Sequence, residues 1–550
     1  MTTTTTTTDT HNFLRTIPED GDARSSTLAL PVGTTPPSVD SSVRGLDAGR
    51  EGSLVSTTRA DLAATDTDGG GGGNRPQASR RHKTRRCSTS TLWVGVSALT
   101  VVTAAVVVIL VVVLKGDGDD GTVEFPPTAS PTVSLATIQA LDAILEPIVR
   151  STTVDKRSFG DLPANDARVL AREWMLTTDL LRDERLAGET FALVQRFCLA
   201  ELYFATAGDT WVSTLDNVSV VETAGNSSES ITVPFLTPEA SECDWEGVTC
   251  AQDSIARNHV RRIVLPSMNL TGTLPHTLGV LGELAEISLA NNTIGGSLPT
   301  AWFQNDLENG EAEIVTGMSS LFVLELEQNT LVGTIPPALW TRPVMRFVYL
   351  QSNELEGDVF TELNQDADAF ISPFLEDIWL ADNKLTGPLP SWLFAHPLLA
   401  RVWVGNNQFT GNLPAPTFTT GDTSLLYLIA SNNNLQGPLL EVHLAGESLE
   451  TLQLNGNQLT GNLPATPVFS ITLTTLWLQD NLFSGVLPTT FGLGLEALTD
   501  LRLTGNPNLG GTVTLAQCGV WPGVADASGT YEVDCPLLTC NCCTNDACSA

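Results

Sequence analysis

Basic side chains are scarce in most of this 550-residue sequence, and catalytic motifs are missing throughout. Residues 115–550 hold 17 lysines and arginines against 52 aspartates and glutamates. Because phosphate binding needs clustered lysine and arginine, this composition argues against nucleic acid as a partner. The six histidines are scattered, and neither HExxH nor GxSxG occurs. We therefore expect no enzyme, no cofactor and no metal site, and we interpret acidic pairs such as Glu376 and Asp377 as solvated surface charge.

One segment lacks charge altogether, the 23 residues from Leu92 to Leu114. As a helix it spans about 34 Å, which is enough to cross a hydrocarbon core of about 30 Å; a buried core helix is the alternative. Six basic residues precede it within 75–87, and mostly acidic residues follow it. Basic flanks stay in the cytoplasm. The sequence thus predicts a single-pass protein with a cytoplasmic N-terminus, in the plasma membrane or in a membrane of the secretory pathway.

The chain before and just after this segment has little that could form a core. Residues 1–91 are dominated by Thr, Ser, Gly and Pro, so we expect a disordered cytoplasmic tail. The tail has no kinase signature, and we expect it to recruit a co-receptor or adaptor. Residues 115–133 are interpreted as a stalk.

Ten copies of one pattern follow each other within residues 260–515, mostly 24 residues apart. The copy IWLADNKLTGPLP, at 378–390, shows its logic. Two aliphatic residues point inward from a short strand. The Asn then binds backbone groups at a turn, and Gly allows the conformation beyond it. No copy buries its apolar face alone, so the copies stack. The Asn position falls at 268 (Met in this copy), 292, 329, 353, 383, 407, 433, 457, 481 and 506.

Two longer spacings, of 37 and 30 residues, predict loop insertions near residues 303–316 and 361–373. Upstream, residues 134–259 are expected to form a helical region. The stretch SLATIQALDAILEPIV, which begins at Ser134, has apolar residues at helical spacing, and Asn165 is a plausible N-cap of the next helix.

The pattern LxxLxLxxNxLxGxLP resembles the plant-type leucine-rich repeat. The resemblance implies an α/β solenoid, a horseshoe of about ten repeats with a concave sheet and protected ends. At the N-terminal end, CDWEGVTC stands where extracellular plant-type repeats carry a disulfide cap, which implies a Cys243–Cys250 bond. The order of basic tail, anchor, YFATAGDTW, CDWEGVTC and repeats is also similar to membrane-anchored leucine-rich-repeat proteins of diatoms.

Residues 516–550 depart from the repeat and are interpreted as a Cys-rich C-terminal cap. Outside the cell a set of disulfides is favoured over a metal site, with fifteen possible pairings. The six cysteines are Cys518, Cys535, Cys540, Cys542, Cys543 and Cys548. One of the nine outer cysteines must stay unpaired or bridge to another chain. Cys198 lies on an apolar helix pattern, which favours a buried free thiol. Glycosylation sequons occur at Asn217, Asn226, Asn269 and Asn291.

The residue between the two inward aliphatics faces the concave side, because strand side chains alternate. Tyr349, Trp379 and Trp403 occupy this position in three consecutive copies, and Trp477 occupies it further along. Two interpretations of this aromatic stripe are open. In the structural one, the rings only stabilise the sheet by cross-strand packing, at about 0.2–1 kcal/mol for a pair. In the functional one, they form an aromatic hot spot that binds a ligand. We expect these four residues to form the binding site together with Glu325, Glu327, Arg346 and Arg401. Glu376, Asp377 and Asp382 complete an acidic rim.

Such a site suits either a sugar stacked on indole or a peptide with basic residues. The family resemblance implies that the concave face binds peptides, glycans or partner receptors, although fold does not dictate function. We expect a receptor-like protein that binds an extracellular ligand or a partner receptor. A structural or adhesion protein that organises cell wall or matrix is the alternative.

Overall fold

The computed structural model of the protein describes residues 133–540, with gaps at 153–156, 214, 216–231, 253–256, 305–316, 366–370, 416–423, 446–447, 466–469, 522–528 and 535–537. The predicted tail, membrane segment and nearly all of the stalk lie outside the described residues. So do two sequons and four cysteines, Asn217, Asn226, Cys535, Cys542, Cys543 and Cys548. Within the described residues, no helix combines the length and the apolar character needed to span a membrane.

Most of the described helices lie before the repeats. In the described residues the α-helices are α1 (Leu135–Thr152), α2 (Ala167–Thr177), α3 (Arg182–Gly188), α4 (Thr190–Ala205), α5 (Thr361–Gln365) and α6 (Leu515–Cys518). Helix α1 buries Leu141, Leu145 and Ile148 along one stripe, as helical periodicity requires. The predicted N-cap of α2 is off by one residue. Asp166 caps this helix, because its carboxylate accepts a hydrogen bond from the backbone N–H of Arg168 at 3.0 Å.

The strands are short. In chain order they are β1 (Val248–Gln252), β2 (Asn258–Val264), β3 (Thr271–Thr273), β4 (Glu286–Ser288), β5 (Thr293–Gly295), β6 (Val323–Glu325), β7 (Val332–Gly333), β8 (Phe347–Tyr349), β9 (Glu354–Asp358), β10 (Asp377–Trp379), β11 (Lys384–Thr386), β12 (Arg401–Trp403), β13 (Tyr427–Ile429), β14 (Gln436–Gly437), β15 (Thr451–Gln453), β16 (Gln458–Gly461), β17 (Thr475–Trp477), β18 (Leu482–Val486), β19 (Asp500–Arg502), β20 (Asn508–Val513), β21 (Thr530–Glu532) and β22 (Leu538–Cys540).

One sheet runs the length of the repeats, in the order β1-β2-β4-β6-β8-β10-β12-β13-β15-β17-β19-β21. Strand β1 is antiparallel to β2, and every later pair is parallel. Each of the ten predicted copies supplies one strand. One side of this sheet packs on the core, and we call its other side, which carries Tyr349, Trp379 and Trp403, the sheet face. Smaller parallel sheets, β3-β5, β11-β9-β7 and β14-β16-β18-β20-β22, follow the Gly-containing part of the repeats.

The repeat asparagines form the predicted backbone contacts. Asn407 Nδ2 donates to the carbonyl of Leu380 at 2.9 Å and to that of Val404 at 3.2 Å. Its Oδ1 accepts from the N–H of Leu385, in the preceding repeat, at 3.0 Å. The same arrangement recurs from Asn292 to Asn506. Each buried amide therefore joins two neighbouring turns and satisfies backbone groups that no strand could pair.

The cysteines near the two ends of the solenoid are mostly bonded. Cys243 and Cys250 form a disulfide that ties β1 to the turn before it. Cys198 is a buried free thiol, and its Sγ contacts the carbonyl of Thr277 at 3.3 Å. Burial raises the pKa of this thiol, so it stays protonated and unreactive. Cys518 and Cys540 are disulfide-bonded.

The parallel sheet continues past the last predicted copy. Strand β21 pairs with β19 in the same register as the repeats, with Arg502 opposite Glu532. Tyr531 takes the inward aliphatic position and is 1% exposed. Its ring stacks on Trp521 with centroids 5.2 Å apart. An eleventh turn thus exists without the repeat consensus.

Candidate binding site on the sheet face

The parallel register places the predicted aromatic residues side by side. Tyr349 on β8 lies opposite Trp379 on β10, which lies opposite Trp403 on β12. The residues before them, Val348, Ile378 and Val402, are buried in the core. The period-2 alternation that buries the aliphatic residues therefore forces the three rings onto the sheet face.

The three rings pack against each other along the sheet. The Trp379 and Trp403 ring centroids are 4.2 Å apart and the planes are nearly parallel, at 10°. Tyr349 lies on the other side of Trp379, with centroids 4.8 Å apart and planes at 60°. All three side chains are partly buried. One flat face of Trp379 is thus covered by Trp403, and the Tyr349 ring meets Trp379 at a steep angle from the strand on the other side.

The carboxylate of Asp377 holds this stack from the side. Its side chain is 0% exposed and accepts a hydrogen bond from the Tyr349 hydroxyl at 2.9 Å. Arg401 Nε donates to the other oxygen at 2.9 Å. The interpretation of Asp377 as solvated rim charge was wrong. Asp377 lies two residues before Trp379 on the same strand, so its side chain is on the same face, where the neighbouring rings cover it. Burial and the adjacent carboxylate raise the pKa of Tyr349 well above its ordinary value.

Two indole N–H groups in the stack are unpaired. Nε1 of Trp379 and Nε1 of Trp403 are buried, and neither has a hydrogen-bond partner among the described residues. An unpaired buried donor costs roughly 1–3 kcal/mol. Trp477 avoids this cost, because its Nε1 donates to Asp500 Oδ2 at 2.9 Å. Nε1 of Trp340 and Nε1 of Trp392, which lie away from the sheet face, are unpaired in the same way among the described residues.

The remaining predicted residues surround the stack at different distances. Glu325 is directly opposite Tyr349 and partly exposed, while Glu327 follows it two positions further on. Arg346 is half-exposed, pairs with Glu376 at 2.8 Å and lies 4.8 Å from the ring centroid of Phe347.

Trp477 is separated from the stack by strands β13 and β15. The guanidinium of Arg502 covers its ring at 4.3 Å. Between the two aromatic groups lie Ile429 and Gln453, of which Gln453 is 4% exposed. The structure thus unites Tyr349, Trp379, Trp403 and Arg401, and it leaves Trp477 as a separate, already covered ring.

A second row of side chains on the sheet face escaped the sequence analysis. Phe347, Tyr427 and Asp500 each begin a strand and lie on the same face as the last residue of that strand. Phe347 stacks near Tyr349 with centroids 6.3 Å apart, and Tyr427 donates to Glu450 at 2.7 Å. The signal was present, because the alternation that selects Trp379 also selects the residue two positions before it.

The two described sequons lie outside this site. Asn269 and Asn291 are exposed. Their side-chain amides donate to the carbonyl of Thr210 at 3.1 Å and to Ser267 Oγ at 2.7 Å. In the described part of the chain, no group of three or more His, Cys, Asp or Glu residues is placed to hold a metal ion.

Residues 448–467 match the sequence profile of the family described as Leucine Rich Repeat. This stretch contains strand β15, the buried Asn457 and the Gly461 turn, which make up most of one repeating unit of the solenoid. One turn of the solenoid therefore matches the leucine-rich repeat, and the other turns share its strand, buried Asn and Gly turn.

Two plant proteins whose names mark them as receptors or receptor-like are similar to parts of this chain. The chain is 33% identical over 87 residues to Receptor-like protein 3 of Arabidopsis thaliana, across 16% of this chain and 11% of that protein. It is 31% identical over 97 residues to Phytosulfokine receptor 1 of the same plant, across 18% and 8%. The aligned part of the chain thus spans about a tenth of these relatives. Over the matched stretches this chain is thus similar to the repeats of plant receptor-like proteins.

Among solved structures, that of PEPR1-AtPEP1 is similar over 55% of this chain and 38% of that chain, with 26% identity and a TM-score of 0.45. The narrower resemblance to diatom membrane proteins stays a prediction.

Proposed function

We propose that the chain is a receptor-like protein that binds an extracellular peptide or protein segment on its sheet face. The stack of Tyr349, Trp379 and Trp403 is the centre of the site. The observation that carries the proposal is this stack of partly exposed rings, held by a buried carboxylate and keeping two indole donors unpaired. Clustered aromatic side chains with such a rigid support are typical of binding hot spots.

The ring orientation favours a peptide over a glycan. A sugar ring packs its C–H groups on an open aromatic face, but Trp403 stacks on one face of Trp379 and Tyr349 packs against this ring from the strand on the other side. Ring edges with half-exposed Arg401 and Arg346 beside them instead suit an extended chain with apolar and acidic or carbonyl groups. Glu325 and Glu327 lie at the other side of the stack and suit basic groups of the same ligand. Trp477 contributes only where a ligand extends four strands along the sheet.

The receptor role also rests on sequence features outside the described residues. Residues 92–114 provide the single membrane anchor, which places the leucine-rich repeats outside the cell and residues 1–91 in the cytoplasm. Because this tail lacks kinase signatures, signalling requires a co-receptor or adaptor. The plant relatives whose names identify them as receptors support this assignment. We place the protein in the plasma membrane.

The test uses the full-length chain in detergent micelles, applied to a peptide array and to a glycan array. The double variant Trp379→Ala/Trp403→Ala is compared with Trp477→Ala, which removes an indole from the same face outside the stack. We expect specific peptide spots that disappear in the double variant and persist in Trp477→Ala, with melting temperatures reported for all three proteins.

Two outcomes would contradict the proposal. Specific glycan binding without peptide binding would show that the ligand class is wrong. Binding that survives the double variant but is lost in high salt would instead support an adhesive role of the acidic surface, since such contacts are screened by ions.

A further inference from the structure

We propose that the cavity between the N-terminal helices and the first repeat binds a small organic amine. This cavity has a volume of about 520 Å³ and is lined by the start of α2, the end of α4 and residues 273–276. Its volume falls in the range of about 300–1,000 Å³ that small-molecule sites occupy. The site is independent of the sheet face and of the function proposed for it.

A buried carboxyl group is the most unusual feature of this cavity. Glu201 lines the cavity and is only 5% exposed. Its Oε2 accepts a hydrogen bond from the hydroxyl of buried Thr277. Its Oε1 accepts none within the described residues, and no cationic side chain there forms an ion pair with this carboxylate. A buried carboxyl group without a cationic partner tends to take up a proton, and a donor supplied by a ligand could take that proton's place at the free oxygen.

The other charges of the cavity compensate each other. Arg168 donates Nε and one terminal nitrogen to the two oxygens of Asp166, both at 2.8 Å. Asp166 also caps helix α2, so the positive end of this helix is already neutralised. The Arg168–Asp166 pair is neutral overall, and Arg168 is the nearest cation to Glu201 without forming an ion pair with it. Ionised Glu201 therefore gives the wall a negative charge, which favours a cation over an anion.

The rest of the wall sets the shape of the ligand. Phe204, Leu274 and Pro275 offer an apolar surface, and Thr273 stands at an exposed position beside it. An ammonium group at Glu201 with a compact hydrocarbon body against Phe204 satisfies both parts of the wall. The ligand class is thus a small amine with an apolar body.

Protonation of Glu201 couples binding to pH. Burial raises the pKa of Glu201 to about 7, so the free protein holds a proton there for much of the time at neutral pH. An ammonium ligand needs the carboxylate and must displace that proton. The other titratable groups near Glu201 are Asp166, which caps α2, Arg168 on α2, His276 on the first repeat and Cys198 on the same helix as Glu201. Affinity is expected to rise from slightly acidic to slightly alkaline pH.

The experiment is isothermal titration calorimetry of the full-length chain in micelles with cyclohexylammonium chloride as the probe. Cyclohexanol is the uncharged match of the probe. We expect saturable binding of the amine, at least about tenfold weaker binding of the alcohol, and proton release at neutral pH, seen as a heat that depends on the buffer.

Matched variants separate the site from other effects. Glu201→Gln keeps an acceptor for Thr277 and removes the charge, and it should weaken amine binding at least about tenfold. Glu283→Gln removes an exposed carboxylate that pairs with Arg261 on the same repeat, and it should change nothing. Thr273→Tyr fills the exposed edge of the cavity without altering Glu201 and should abolish binding. Absence of saturable amine binding in the wild type would overturn the proposal. So would amine binding by Glu201→Gln and by Thr273→Tyr that equals binding by the wild type.

Discussion

The hydroxyl of Tyr349 lies 2.9 Å from Oδ2 of Asp377, so a side chain of one repeat is fixed by a buried carboxylate of the next. Arg401, one repeat further, binds the other oxygen of the same carboxylate. A single buried charge thereby joins three consecutive strands of the sheet face. A buried charge needs such partners, because removing it from water is otherwise costly.

A double-mutant cycle tests this link. Asp377→Ala leaves the Tyr349 hydroxyl without its acceptor, and Tyr349→Phe removes the hydroxyl itself. We expect each single change to lower the free energy of unfolding, and the double variant to lose about 1 kcal/mol less than the sum. Urea unfolding followed by tryptophan fluorescence measures the coupling. Additive effects would show that the hydrogen bond contributes nothing.

Asn407 provides the second prediction. Its buried amide makes hydrogen bonds to backbone groups of two repeats, and Asn407→Ala leaves those groups unsatisfied. We expect the free energy of unfolding to fall by about 2 kcal/mol or more. The neighbouring Gln408 is exposed, so Gln408→Ala should change it by less than about 0.5 kcal/mol. Equal effects of the two variants would refute a structural role for the asparagine.

The Cys243–Cys250 disulfide is the basis of the third prediction. It joins β1, the edge strand of the large sheet, to the turn before it. The double variant Cys243→Ser/Cys250→Ser should lose about 2.5 kcal/mol, the value for a short closed loop in the chain-entropy model. Thr249→Ser, an exposed change on the same strand, is the control. Proteolysis at the N-terminal end should accelerate in the double variant, and an unchanged rate would contradict the prediction.

The regular part of the fold could be predicted because its rules are local. One strand, one buried Asn and one Gly turn per copy follow from the period of the pattern, and the structure has them in all repeats where the pattern is intact. The contact between Trp379 and Trp403 could also be predicted, because parallel strands in register place equivalent residues side by side.

Two kinds of feature could not be predicted: those that depend on a choice between neighbouring residues, and those that depend on a contact between residues far apart in the sequence. Asn165 and Asp166 are both good caps, and only the contact with Arg168 decides between them. Strand β21 lacks the consensus because Tyr531 replaces an aliphatic residue. Glu201 lies on an apolar helix pattern, and its partner Thr277 is 76 residues away.

Acid sensitivity is the fourth prediction and concerns His443. Its ring is 1% exposed, and its Nδ1 accepts from the N–H of Leu440 at 3.1 Å. Burial lowers the pKa of His443 to about 4, whereas the unfolded chain has about 6.5. The unfolded state therefore binds the proton more tightly. The stabilisation by the neutral ring is complete above about pH 6.5 and is lost as the pH falls towards 4, by at most about 3 kcal/mol.

The comparison with His443→Gln isolates this residue. Burial also lowers the pKa of His396, which acts in the same sense, whereas the raised pKa of Glu201 makes stability fall as the pH rises towards 7. Both contributions are common to the wild type and the variant, so they cancel in the difference of their unfolding free energies. We expect this difference to shrink between about pH 6.5 and 4, because only the wild type has a buried imidazole ring to protonate at position 443. A difference that stays constant over this range would mean that His443 is not forced to remain neutral, and that water reaches its ring.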